Sequence, residues 1–344
     1  MVYETNPTIG RQREIVNAAA AELKMARRQT LPYVGLSAGT GFSRTKVGDY
    51  TFDYEPAQIG IEAQQNLFQG FSILSQIKAA KSSLAAQQAV LYATQQEVFL
   101  DAINAYIDVL NAAEILKLNQ NNQHVLQEYY DMCLDRQRAG TLTKTDVATA
   151  SARLEMARYS VADANAAYNN ALETFRRIYG DTLDDYPDID MEKMRHLFPE
   201  SAASAQDFAI AHHPSIAALN AQESAARENI MIARKTILPS VDIRASAVQM
   251  QDIPVIDRVR DARVGVYLKM PIFDRGTAFA NVDKTKHTVA GIQEQIIAAR
   301  RAVVENLNMA WNIYDAQTAA IAAARASVAA NKLAVSGIRA EQRT

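Results

Sequence analysis

Between Phe71 and Pro187 the chain contains no proline and only two glycines, Gly140 and Gly180. So long a stretch without backbone breakers predicts helix, because proline removes a donor and clashes inside a helix. The apolar residues agree. Val98, Ala102, Ala105, Val109, Ala112 and Leu116 alternate steps of four and three, a heptad seam. Helix from about Ser72 to Arg138 would extend on the order of 100 Å at ~1.5 Å per residue. After Gly140 the repeat is cleaner. Val147, Leu154, Val161, Tyr168 and Phe175 are spaced by seven, and Ala150, Ala157, Ala164 and Ala171 follow the same spacing three residues later. Large side chains at one seam position and alanine at the other allow close antiparallel packing.

The turn between these helices is RAGTLTKTDV, Arg138 to Val147. Gly140 suits a helix C-cap. Thr143 or Thr145 suits the next N-cap, and Asp146 sits well in the dipole-positive first turn. A capped hairpin tip accounts for every residue of this stretch.

The chain also repeats itself. TLPYVGL, Thr30 to Leu36, is echoed by ILPSVDI, Ile237 to Ile243, and NPTI at Asn6 by HPSI at His213. Pro7 and Pro32 are 25 residues apart, as are Pro214 and Pro239. IGIEAQQNLFQG from Ile59 is echoed by VGVYLKMPIFDRG from Val264, with Phe273 lying 205 residues after Phe68. A unit near 200 residues is too long for a solenoid and indicates two copies of one large module. The resulting division is a first repeat over residues 1–180, a linker over 181–212, and a second repeat over 213–344.

Each repeat carries two stretches with the period of a strand. In the first, Val34, Leu36, Ala38 and Phe42 alternate with Gly35, Ser37 and Gly39, and Ile59, Ile61 and Ala63 with Gly60, Glu62 and Gln64. In the second, Val241, Ile243, Ala245 and Ala247 alternate with Asp242, Arg244 and Ser246, and Val264, Val266, Leu268 and Met270 with Gly265, Tyr267 and Lys269. These are strands of about ten residues, apolar on one face, which suit a membrane-spanning β-barrel or a soluble sandwich alike. Four strands cannot close a barrel, and open edges do not occur in lipid. In a membrane several chains would have to share one barrel, and three chains would supply twelve strands.

Charge and motif content remove other classes. With 36 basic and 38 acidic side chains the net charge is −2, and no basic stripe stands out, so nucleic acid is not an expected partner. The single cysteine, Cys133, excludes an intramolecular disulfide and reads as a buried or neutral free thiol. No apolar run approaches the roughly 20 residues of a spanning helix. MVYETNPTIG has no basic n-region or apolar h-region, so no signal peptide is expected within this sequence. His212 and His213 are adjacent, but neighbours do not share a helix face and no third ligand lies close in sequence; no metal site is expected. The acidic run Asp184 to Asp190 lacks the glycine and closing glutamate of an EF-hand and reads as a solvated linker. Neither a nucleophile elbow nor a phosphate- or dinucleotide-binding glycine motif occurs, so no catalytic residue and no cofactor is assigned.

Taken together, NPTI…LPYV, HPSI…LPSV, QNLFQGF, MPIFDRG and RAGTLTKTDVATASARLEMA resemble the TolC family of outer-membrane efflux proteins along essentially the whole chain. The resemblance implies a mainly α fold with β: long antiparallel coiled-coil helices forming an α-barrel, and four transmembrane strands per chain completing a twelve-stranded trimeric barrel. It implies a passive exit duct for drugs, toxins or proteins in a tripartite efflux or type I secretion system. The expected setting is the outer membrane of a Gram-negative bacterium, with the tunnel projecting into the periplasm. The expected partners are two further copies, a periplasmic adaptor (membrane fusion protein), an inner-membrane pump and outer-membrane lipid. The tip residues Ala139, Gly140, Thr141 and Leu142 match the family's adaptor contact, where Val-Gly-Leu is usual and Ala-Gly-Thr stands here. Thr145, Asp146 and Val147 match a family Thr-Asp-Val whose Asp lies at the constricted pore entrance. The repeat offset places the second tip just past Thr344, so the second returning helix and its acidic residues are expected to be missing from this sequence. The alternative is a periplasmic coiled-coil adaptor or scaffold without a membrane barrel, which would not depend on detergent.

Overall fold

The computed structural model describes residues 2–181, 198–253 and 256–341. The acidic run Asp184–Asp190 and His196 lie outside the described residues. Two compact units interleave along the chain, one of Met1–Ile15 with Val90–Phe198 and one of Val16–Ala89 with Pro199–Thr344.

The first unit is helical. It holds α1 (Val2–Thr5), the start of α2 (Pro7–Arg28), most of α3 (Ser72–Arg138) and α4 (Lys144–Tyr179). The bounds of α3 coincide with those read from the missing breakers. Val98, Ala102, Ala105 and Val109 of its heptad seam are all buried. On α4, Ala150, Leu154, Ala157, Ala164 and Phe175 are buried, so both predicted rows face inward. Val2, Ile9 and Ile178 join Val98, Ala102 and Ala105 in one cluster. Phe175 is fully buried and stacks on Tyr179 at 4.0 Å between ring centroids. The Tyr179 hydroxyl donates to the Ala102 carbonyl at 3.2 Å, which ties α4 to α3.

The second unit joins a sheet to helices. Strands β1 (Tyr33–Thr40), β4 (Ala57–Gln69), β5 (Ser240–Ile253) and β6 (Ile256–Lys269) form one antiparallel sheet in the order β1-β4-β5-β6. The two repeats therefore meet along β4 and β5. A separate hairpin, β2 (Ser43–Val47) with β3 (Tyr50–Tyr54), rises between β1 and β4. The strands are longer than the expected ten residues on three of four counts. Two residues assigned to strands fall outside them. Phe42 follows β1 because Gly41 donates instead to the Pro56 carbonyl at 3.1 Å, closing the ladder. Met270 follows β6 because Pro271 comes next, and proline cannot donate to a ladder.

Helices α5 (Ala202–His212), α6 (Pro214–Arg234) and α7 (Thr277–Glu341) complete this unit. Within the stretch read as a linker, α5 is a regular helix with a Ser201–Ser204 capping box. On α7, Val282, Val289, Ile296 and Val303 are spaced by seven and buried, and α7 packs on α6 and α5. Gln293 Nε2 donates to Glu223 Oε1 at 2.8 Å across that contact.

The repeated words have repeated physical jobs. Asn6 Oδ1 accepts from Thr8 N at 2.9 Å and His213 Nδ1 from Ser215 N at 3.3 Å, so each X-Pro pair caps and starts a helix. Pro32 and Pro239 each stand just before a strand, where a helix cannot continue. At the return from sheet to helix, Gly70 and Phe71 have φ of 56° and 63°, and Arg275 and Gly276 have 62° and 77°. The 205-residue offset maps one left-handed pair onto the other. Glycine occupies a different member of each pair, so this identity is hidden in the letters. Gly70 is further constrained, since a Cβ there would lie 2.7 Å from Leu238 Cβ.

Candidate functional site

The first candidate site is the hairpin tip. Helix α3 ends in a Schellman turn. Gly140 N donates to the Gln137 carbonyl at 3.0 Å and Thr141 N to the Arg136 carbonyl at 2.9 Å, with Gly140 at φ 78°. No atom lies where a Gly140 Cβ would stand, so the glycine serves its backbone angle alone. Of the tip residues, Ala139, Gly140 and Thr141 are exposed and Leu142 is half-buried.

The cap of α4 is Thr143, not Thr145. Thr143 Oγ1 accepts from Asp146 N at 3.2 Å, while Asp146 Oδ2 accepts from Thr143 N at 2.9 Å and from Thr143 Oγ1 at 2.7 Å. This is a capping box closed by aspartate. The donors of Thr143, side chain first and then backbone, hold the Asp146 carboxyl below the usual carboxylate range. One oxygen of an exposed carboxylate is thus committed to the helix start. The structure brings the tip residues and Asp146 together within one turn of chain.

The second candidate site is the pair of sheet faces. The register sets Val34, Ala63, Ala245 and Val264 in one row and Leu36, Ile61, Ala247 and Ala262 in the next. Val34, Leu36, Ile59, Ile61, Val264, Val266 and Leu268 are all exposed on this face. The opposite face carries Gly35, Glu62, Ser246 and Arg263 in one row, and Tyr33, Gln64, Arg244 and Gly265 in another. There Arg244 pairs with the buried Asp242 at 3.1 Å and lies over the Tyr267 ring at 5.1 Å. Arg263 pairs with Asp261 at 2.7 Å. One face suits hydrocarbon and the other water. No helix among the described residues is long and apolar enough to cross a membrane.

The β2–β3 hairpin was missed by strand-pattern reading of the sequence. Its signal was present. Val47 pairs with Tyr50 across the two-residue loop Gly48-Asp49, and Gly48 has φ 60°. Arg44 makes a two-pronged pair with Asp53, at 2.6 and 2.7 Å. Among the described residues no three His, Cys, Asp or Glu side chains cluster as metal ligands. His212 stacks on Phe208, and its Nδ1 lies 3.0 Å from the Phe208 carbonyl. Cys133 is buried on the long helix near the tip, where its contact with Tyr129 pushes that phenol's pKa up.

The chain thus combines long seam-packed helices with a sheet that has one apolar and one polar face. Comparison with known proteins places the chain by family. The sequence model described as "Outer membrane efflux protein" matches residues 1–181 and 207–343, and the chain belongs to that family. It is 27% identical over 343 residues to the outer membrane efflux protein BepC of Brucella suis biovar 1 (strain 1330), covering 99% of this chain and 74% of that one. It is 24% identical to the outer membrane protein TolC of Escherichia coli (strain K12), covering 94% of this chain and 68% of that one. Among solved structures, a crystal structure of CusC superposes with a TM-score of 0.74 at 16% identity, covering 91% of this chain and 75% of that one. The CmeC outer membrane channel of Campylobacter jejuni superposes with a TM-score of 0.72 at 17% identity, covering 91% and 71%. The protein is therefore an outer-membrane exit duct for efflux or secretion, and the scaffold alternative falls.

Proposed function

We propose that three copies of this chain close one twelve-stranded barrel in the outer membrane and continue it as a helical tunnel into the periplasm. The observation that carries this reading is the four-stranded sheet. Its outer strands β1 and β6 each pair with only one neighbour among the described residues, and its apolar face is exposed on β1, β4 and β6 and half-buried along most of β5. Buried in lipid, those edges would leave a row of backbone groups unsatisfied. Pairing β1 of one copy with β6 of the next satisfies both, and twelve strands fall within the range of known barrels. The polar face of Glu62, Arg244, Asp261 and Arg263 then lines the lumen.

Cargo passes through without chemistry, delivered by an inner-membrane pump and a periplasmic adaptor. Residues 1–180 and 213–344 act as two structural repeats joined by 181–212, and each supplies a helical wall of the tunnel. The first tip, Ala139 to Leu142, is the adaptor contact. Asp146 lies beside it at the pore entrance, where three carboxylates brought together would repel one another and attract cations.

The test is reconstitution. In detergent the protein should run as three copies, and in planar bilayers it should conduct. A monomer that stays dispersed without detergent would refute the duct. In the conducting trimer, Asp146→Ala should raise conductance or change cation selectivity with trimer content unchanged. Wild-type conductance and selectivity, with only stability reduced, would leave Asp146 as a helix cap.

A further inference from the structure

The outward face of β6 changes character part of the way along. Regular pairing with β5 from Lys269 to Arg258 puts Leu268, Val266, Val264, Ala262, Arg260 and Arg258 on one side of the strand. Four apolar residues are followed by two exposed arginines. From Leu268 to Arg260 is roughly 27 Å at ~3.4 Å per residue, and strand tilt brings this near the height of a barrel's apolar band. The neighbouring strands turn polar over these rows in part: beside Arg260 stand Ala38, Ile59 and Gln249, and beside Arg258 stand Thr40, Ala57 and Gln251.

These arginines sit at the end of the sheet away from α2, α3, α6 and α7, on the side of the β2–β3 hairpin. Arg260 Nε donates to the neutral Gln249 Oε1 at 3.2 Å. Asp261 pairs with Arg263 on the opposite face, and Asp252 Oδ2 accepts from Glu55 N at 2.7 Å. Two exposed guanidinium groups thus top an apolar face, and among the described residues neither is in an ion pair.

We propose that Arg258 and Arg260 form a docking surface for the phosphorylated headgroups of outer-leaflet lipid, which the barrel holds as bound annular lipid. This rests on the barrel reading above. Guanidinium binds phosphate through paired donors, and at the interface an arginine costs little, whereas at the midplane it would be expensive. The phosphate lies above the acyl chains, so one lipid meets the arginines with its headgroup and Ala262, Val264 and Val266 with its tails.

The whole chain is reconstituted into vesicles of phosphatidylcholine alone and of phosphatidylcholine doped with lipid A. Flotation with the first tests the barrel, and if wild type does not float, the barrel reading and this inference fall together. Lipid A retained per chain after detergent washing tests the inference alone. The R258Q/R260Q double variant should float like wild type but retain lipid A about thirtyfold more weakly, from the contribution of each arginine near an anionic surface. R263Q, which removes a charge from the lumen face of the same strand, should retain it normally. Equal retention by the double variant, equal loss in R263Q, or complete displacement by inorganic phosphate would each overturn the proposal.

Discussion

At the tip, single residues carry separable loads. Gly140 holds φ 78° with open space where a side chain would go. Gly140→Ala should therefore lower stability by about 1–2 kcal/mol through the left-handed backbone alone, and Gly140→Asn by less; thermal unfolding compares them. Asp146 has a folded pKa below its unfolded one. Its capping contribution is present above the ordinary carboxylate range, near pH 4, and is lost as the pH falls through the depressed value. In Asp146→Asn that part of the acid-induced loss of helicity should vanish. A circular dichroism titration showing identical acid profiles would remove the carboxylate from the cap.

Among elements, α4 shows what the letters disclosed and what they hid. Both its rows were legible because a heptad states its own geometry, and Ala157 is 4% exposed as the row requires. Ala157→Leu should overpack that seam at a cost of about 1–3 kcal/mol, while Ala166→Leu, on the exposed side, should leave the unfolding midpoint nearly unchanged. The bounds of α3 were equally legible, since proline and glycine mark helix ends through the backbone. Strand length was not, because a strand's end depends on its partner: β1 stops at Thr40 beside Ala57 while β5 and β6 run on together to the Ile253–Ile256 pair. The β2–β3 hairpin is harder to read because its strands are only five residues each, and its signal rests on the two-residue turn Gly48-Asp49. The matched left-handed turns at Gly70–Phe71 and Arg275–Gly276 escaped for another reason. Dihedral angles are shared there while residue types are not. At the capping site, sequence placed Asp146 in the first turn but left open which threonine it served.

For the whole molecule, the decisive surface is the sheet. Val266 stands 67% exposed on its apolar face. Val266→Arg should impair insertion, at up to about 2–4 kcal/mol near the midplane, whereas Lys269→Arg on the other face should assemble normally; trimer yield from outer membranes separates them. The strand order β1-β4-β5-β6 has a further consequence. In the proposed barrel the two edges of each sheet differ, so copies would join head to tail, and such a joint keeps accepting partners until the ring shuts. Assembly is then cooperative and vulnerable to poisoning. A copy able to pair through β1 but not β6 would enter rings and leave each of them open. Expressed in equal amount with the normal chain, it should spare about one ring in eight if three copies close each ring at random. A recessive defect in one edge strand would thus become a dominant one.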